Sequence, residues 1–105
     1  MNSKRIYSLI RQTVDSYIPG SRIILFGSHA KNLADDHSDY DLLIITPHEL
    51  DHQKKISWQS RLDKAIVQHT GLPIDLLLSS EKEVQHKQFL PGHIIQTALK
   101  EGIQL

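Results

Sequence analysis

Asp39 and Asp41 stand two positions apart, separated by ten residues from the pair Gly27-Ser28. The segment reads Ile23-Ile24-Leu25-Phe26-Gly27-Ser28-His29-Ala30-Lys31-Asn32, then a polar loop, then Ser38-Asp39-Tyr40-Asp41-Leu42-Leu43-Ile44-Ile45. Side chains alternate faces along a strand, so Asp39 and Asp41 point the same way. Two carboxylates side by side repel each other unless a cation lies between them. Hard oxygen ligands of this kind suit Mg²⁺, which binds one or two carboxylates together with water and substrate phosphates. The chemistry implied is phosphoryl-type transfer from a nucleoside triphosphate.

Asp75 is the third candidate. It lies one residue into the apolar run Ile74-Asp75-Leu76-Leu77-Leu78, where an ionised carboxylate is costly unless paired or metal-bound. The second and third strands open alike, Tyr-Asp-Leu-Leu and Ile-Asp-Leu-Leu. If they are adjacent and parallel, Asp75 reaches the face of Asp39 and Asp41. Three carboxylates can hold two Mg²⁺ ions, with Asp75 close to an attacking hydroxyl.

Gly27 and Ser28 supply the phosphate side. Glycine allows a tight turn and close approach to a ligand. A helix starting at Ser28 would aim free N–H groups and a favourable dipole at an anion. Lys31, one turn on, would neutralise triphosphate charge. Alone, a Gly-Ser turn or an Asp-x-Asp is unspecific. At average usage the full spacing arises in about one chain in a thousand of this length.

The elements that must position these residues follow from periodicity. Ile6, Leu9, Ile10, Thr13, Val14, Tyr17 and Ile18 form one stripe of a helix over residues 3–18, stopped by Pro19-Gly20. Arg22 to Phe26 and Tyr40 to Thr46 are apolar runs of buried strands. Ser28 to Leu33 reads as a helical turn or short helix, and 34–38 as a polar loop. A long helix is expected over 50–69, burying Leu50, Ile56, Trp58, Leu62, Ala65 and Ile66, with Gly71 as its cap. Ile74 to Leu78 is the third strand. Ser80-x-x-Glu83 is a capping box for a further helix, and a last short helix ends near Gly102. The expected fold is α/β (α+β): a small sheet of three or slightly more strands, flanked by helices, in a single domain over residues 1–105.

The chain has 105 residues, 39% hydrophobic and 23% charged, as soluble globular proteins do. Its 12 basic and 12 acidic residues cancel. No positive excess supports direct nucleic-acid binding. Cysteine is absent, which excludes disulfides, thiolate nucleophiles and Cys-ligated zinc. No signal peptide or membrane-length apolar run is visible, so the expected compartment is the cytoplasm. Of seven histidines, only His48 and His52 share a helical metal-pair spacing, without a third ligand. His29, inside the Gly-Ser turn, is the one placed to touch nucleotide. Trp58 reads as core or interface, and Tyr40, opposite the aspartates, as packed under the sheet.

Gly27-Ser28, Asp39-x-Asp41 and Asp75 resemble the signature of the DNA polymerase β-like nucleotidyltransferase superfamily. The length, the first helix, the Gly-Ser-x-Ala-Lys sequence and the closing Leu99-Lys100-Glu101-Gly102-Ile103 resemble its minimal nucleotidyltransferase (MNT) branch. The resemblance spans nearly the whole chain. It implies a mixed sheet flanked by helices and transfer of a nucleoside monophosphate, AMP from ATP, to a hydroxyl. It also implies metal ligation by Asp39 and Asp41, assistance from Asp75, and triphosphate binding by Gly27 and Ser28. Many members carry Arg-Gly where this chain has Lys31-Asn32. Lysine keeps the charge but loses the bidentate fork, which weakens the triphosphate grip.

A chain of this size has no accessory domain to hold an acceptor, so the acceptor is expected on a partner. MNT proteins of this size resemble antitoxins of MNT/HEPN pairs, in which a tyrosine of the HEPN ribonuclease toxin is adenylylated, a type VII-like arrangement that allows an oligomer with the partner. Two alternatives differ in class. One is an inactive antitoxin that masks its partner by contact, through an exposed apolar face in the 81–105 region. The other is an aminoglycoside nucleotidyltransferase, disfavoured because the sequence shows no acidic cleft beyond the metal site.

Overall fold

The computed structural model describes residues 2–35 and 37–105. Asp36, in the expected polar loop, lies outside the described residues, as does Met1. Helix α1 runs over Ser3–Tyr17, its first turn capped by the Asn2 side chain, which accepts from the Arg5 N–H. Strands β1 (Arg22–Phe26) and β2 (Tyr40–Thr46) follow, then α2 (His52–Thr70), β3 (Ile74–Ser80), α3 (Glu81–Lys87), α4 (Ile94–Glu101) and β4 (Ile103–Gln104).

The four strands form one mixed sheet in the order β3-β2-β1-β4. β1 runs antiparallel to both β2 and β4, and β2 runs parallel to β3. Strand alternation divides the core into two layers. Ile23, Leu25, Leu42, Ile44, Leu76 and Leu78 pack with Ile6, Ile10 and Val14 of α1 and Leu62 and Ile66 of α2. On the opposite face, Ile24, Phe26, Leu43 and Ile45 pack with Val84 of α3 and Ile95 and Ala98 of α4. Both faces of β1 and β2 are thus covered, as their unbroken apolar runs require. The Arg22 guanidinium donates two hydrogen bonds of 2.8 Å to the Glu81 carboxylate, tying the start of β1 to the start of α3. The capping box forms: the Glu83 N–H donates to the Ser80 hydroxyl, and the Ser80 N–H to the Glu83 carboxylate.

One expectation is corrected and two are sharpened. Ser28–Leu33 forms a helical turn and not a short helix. Its N–H groups close short turns, Ala30 to the Gly27 carbonyl and Lys31 and Leu33 to that of Ser28, and Asn32 sits at φ 58, which a right-handed helix cannot include. Ile56 is 57% exposed, because it lies about a third of a turn away from the buried Leu62 stripe of α2. The strand beyond the expected three is β4, whose two exposed residues pair with Ile24 and Leu25 of β1.

Candidate active site

The anticipated carboxylates meet at one end of the sheet. The parallel register sets Asp41 opposite Asp75, and the antiparallel register sets it opposite Phe26. Directly paired residues share a face, so Asp41 and Asp75 both lie on the α3/α4 side. Asp39, exposed, just precedes β2, and Asp75 is exposed near the start of β3. Burial raises the Asp41 carboxyl above its ordinary pKa, and the negative charges of Asp75 and then Asp39 raise it further, with His29 opposing. That mutual repulsion is what a bound cation would relieve.

Among the described residues no set of three His, Asp or Glu side chains encloses a metal site by itself. Asp75 and Asp39 act on Asp41 by charge, and these carboxylates are oxygen donors of the kind a hard cation takes, one or two at a time, with the remaining positions left to water and phosphate.

Gly27 completes this corner. It follows β1 directly with φ 74, and the Asp41 carboxylate occupies the space its side chain would need. Main chain and carboxylate are packed together as only glycine permits. The turn bonds use the N–H groups of Ala30, Lys31 and Leu33. Those of Ser28 and His29 take no part in these turn bonds. With no helix beginning at Ser28, any anion binding here rests on these local donors and not on a helix dipole.

Lys31, one turn beyond Gly27, has a partner of its own. Its ammonium pairs with Glu101 at the end of α4, 2.8 Å away. His29 is also engaged. Its ring stacks on Tyr40, with centroids 3.6 Å apart and planes 13° from parallel, and its Nε2 lies 2.9 Å from the Ser38 carbonyl. Since a carbonyl only accepts, Nε2 carries the proton. The ring thereby links the Gly-Ser turn to the chain entering Asp39. No periodic signal in the sequence could have shown this pairing. Tyr40 does pack toward the α1/α2 layer. His48 precedes α2 and His52 opens it, so the two do not share a helical face.

The chain matches the nucleotidyltransferase domain family over residues 8–104 and belongs to it. No curated protein sequence matches it. Among solved structures, a chain of a toxin–antitoxin crystallised with AMP-PNP is 20% identical, with TM-score 0.62, over 99% of this chain and 72% of that one. A chain of the MntA–HpeT toxin–antitoxin bearing a tyrosine-to-alanine mutation is 22% identical, with TM-score 0.58, over 100% and 72%. A third, from the same complex with two aspartate-to-glutamate mutations, is 19% identical, with TM-score 0.59, over 99% and 71%. At these identities the likeness is one of fold.

Proposed function

We propose that this protein is a Mg²⁺-dependent nucleotidyltransferase of the MNT kind, which transfers AMP from ATP to a hydroxyl of a partner protein, a tyrosine of a HEPN-type toxin, and so acts as its antitoxin. The observation that carries the reading is Asp41, seated between Asp75 and Gly27 in a family built for nucleotidyl transfer. The toxin–antitoxin complexes among its structural neighbours, one crystallised with AMP-PNP, support the partner and the nucleotide.

In this reading Gly27, Ser28 and Lys31 hold the triphosphate. Asp39 and Asp41 hold Mg²⁺, which when bound offsets phosphate charge and lowers the pKa of the acceptor hydroxyl. Asp75 accepts the proton of that hydroxyl. The hydroxyl oxygen bonds to the α-phosphorus of ATP as the bond to pyrophosphate breaks, and pyrophosphate leaves. The protein's part is alignment and charge placement.

The test is intact mass of the partner after incubation with ATP, Mg²⁺ and this protein. An increase by AMP units is expected with wild type and none with Asp39→Asn/Asp41→Asn. An unchanged mass with wild type, or the same gain with the double variant, removes the reading.

A second reading is favoured by one observation. Phe89 is 75% exposed, Leu90 48% and Ile94 49%, an apolar patch where α3 passes to α4. It suits neutralisation by contact alone. If the double aspartate variant still neutralises the toxin, contact suffices.

A further inference from the structure

We propose that the outer edge of β3, flanked by one stripe of α2, is an acceptor groove that takes an extended, hydroxyl-bearing segment of another protein as an added strand. The proposal rests on the nucleotidyl-transfer reading above and names the surface that would present the acceptor.

β3 is the terminal strand of the sheet. The Tyr40 N–H donates to the Pro73 carbonyl at 2.9 Å. With the parallel register, this turns the main-chain groups of Asp75 and Leu77 toward β2. Those of Ile74, half-buried, and Leu76, 6% exposed, therefore point to the outer side of β3. Such an edge is a template for another strand.

The edge is not bare. Ile56, Gln59, Ser60 and Asp63 recur at the three- and four-residue spacing of one helix face and line, with Ile74 and Asp75, a groove of about 420 Å³. Ile56 is 57% exposed there, an apolar residue with no core to serve. The groove ends on Asp75, the carboxylate assigned to the acceptor hydroxyl. Its lining carries two carboxylates, Asp63 and Asp75, and no cation.

These features select the occupant. Alternate side chains of an added strand point to opposite faces. A residue placed over Asp75 brings its hydroxyl to the α3/α4 face, beside Asp41. Its immediate neighbours then fall on the α2 side, against Ile56 and Asp63. The occupant is an extended protein segment whose hydroxyl residue is flanked by an apolar side chain against Ile56 and a basic one against Asp63.

The experiment measures AMP transfer to the partner at varied partner concentration, for wild type, Ile56→Glu and Asp63→Lys. The KM for the partner is expected to rise about tenfold or more in each variant. Affinity for Mg·ATP, read with a fluorescent ATP analogue, is expected to stay at the wild-type value. Exchanging the basic neighbour of the modified residue for Glu restores transfer by Asp63→Lys. Unchanged KM in both variants overturns the groove while leaving the transferase reading intact; a wild type that transfers nothing removes both.

A second measurement is independent of kinetics. The chain has no cysteine, so Ser60→Cys can carry a single photo-crosslinker. Its cross-link is expected within a few residues of the modified hydroxyl. A cross-link elsewhere on the partner, or to a second copy of this chain, overturns the proposal. So does transfer to a polycationic amino sugar, lost in both variants, with protein acceptors untouched.

Discussion

The Asp41 carboxylate fills the space that a side chain at position 27 would need, so that a Cβ on Gly27 would overlap its oxygen. Two constraints coincide there, because Gly27 also has φ 74. Gly27→Ala is expected to cost roughly 1–2 kcal/mol from the left-handed backbone alone. It also displaces Asp41 from its place beside Asp75. Denaturant unfolding measures the first effect and titration with Mg·ATP the second. A variant with wild-type nucleotide affinity would show that Asp41 does not depend on this corner.

Asp41 gives a pH prediction whose sign is fixed. Its pKa is raised above the ordinary 3.8 by burial and by Asp75 and Asp39. The folded chain thus holds this proton more tightly than the unfolded chain. The group's contribution to stability is complete below pH 3.8 and is lost as pH rises through the higher folded value. At neutral pH the ionised group opposes folding. Asp41→Asn is therefore expected to be more stable than wild type at pH 7, by under about 1 kcal/mol given solvent screening. The advantage fades on acidification. Mg²⁺ with ATP raises the melting temperature of wild type but not of the variant. Thermal melts across pH, with and without Mg·ATP, check both statements.

What the sequence shows and what it conceals divide along a physical line. Local periodicity carries the strands and the buried stripes of α1 and α2. The matching starts of β2 and β3 carry the Asp41–Asp75 register, because parallel strands set like positions side by side. Whether the turn after Gly27 continues into a helix is not legible, because a left-handed Asn32 cannot be told from a helical one by residue type. β4 is held by two pairings to β1, which only the tertiary fold brings near. Lys31 has the right charge and spacing for phosphate, yet its partner Glu101 lies at the far end of the chain. The carboxylates of the candidate site were legible as a spacing; the engagement of His29 with Tyr40 and Ser38 was not.

The Lys31–Glu101 pair, 2.8 Å apart with both side chains substantially exposed, competes with any phosphate for the ammonium. An exposed pair of this kind is worth at most about 1 kcal/mol. Releasing Lys31 from it can tighten triphosphate binding by no more than about fivefold. Glu101→Gln is expected to tighten ATP binding within that bound, and Lys31→Met to weaken it. Both effects shrink in high salt. Calorimetric titration at two ionic strengths checks this; no change with Glu101→Gln would mean that Lys31 does not turn to the nucleotide.

Gly102 governs whether α4 and β4 can both pack against β1. Its N–H donates to the Ala98 carbonyl at 2.8 Å, closing α4, and the next residue already pairs with Leu25. A Cβ at this position would run into the Ala98 carbonyl and a methyl of Ile24. Both are fixed, one in the α4 backbone and the other in the core. Gly102→Ala is therefore expected to lose about 1–3 kcal/mol, the range for forcing extra volume into packed surroundings. The loss should also reach the candidate site. β4 borders the end of β1 that leads into Gly27, and α4 carries Glu101. Hydrogen exchange is the discriminating measurement: faster exchange at Leu25 and through the Gly27–Leu33 turn is expected, with β3 unchanged. Uniformly faster exchange across the sheet would mean that β4 serves global stability and does not brace the Gly27–Leu33 turn.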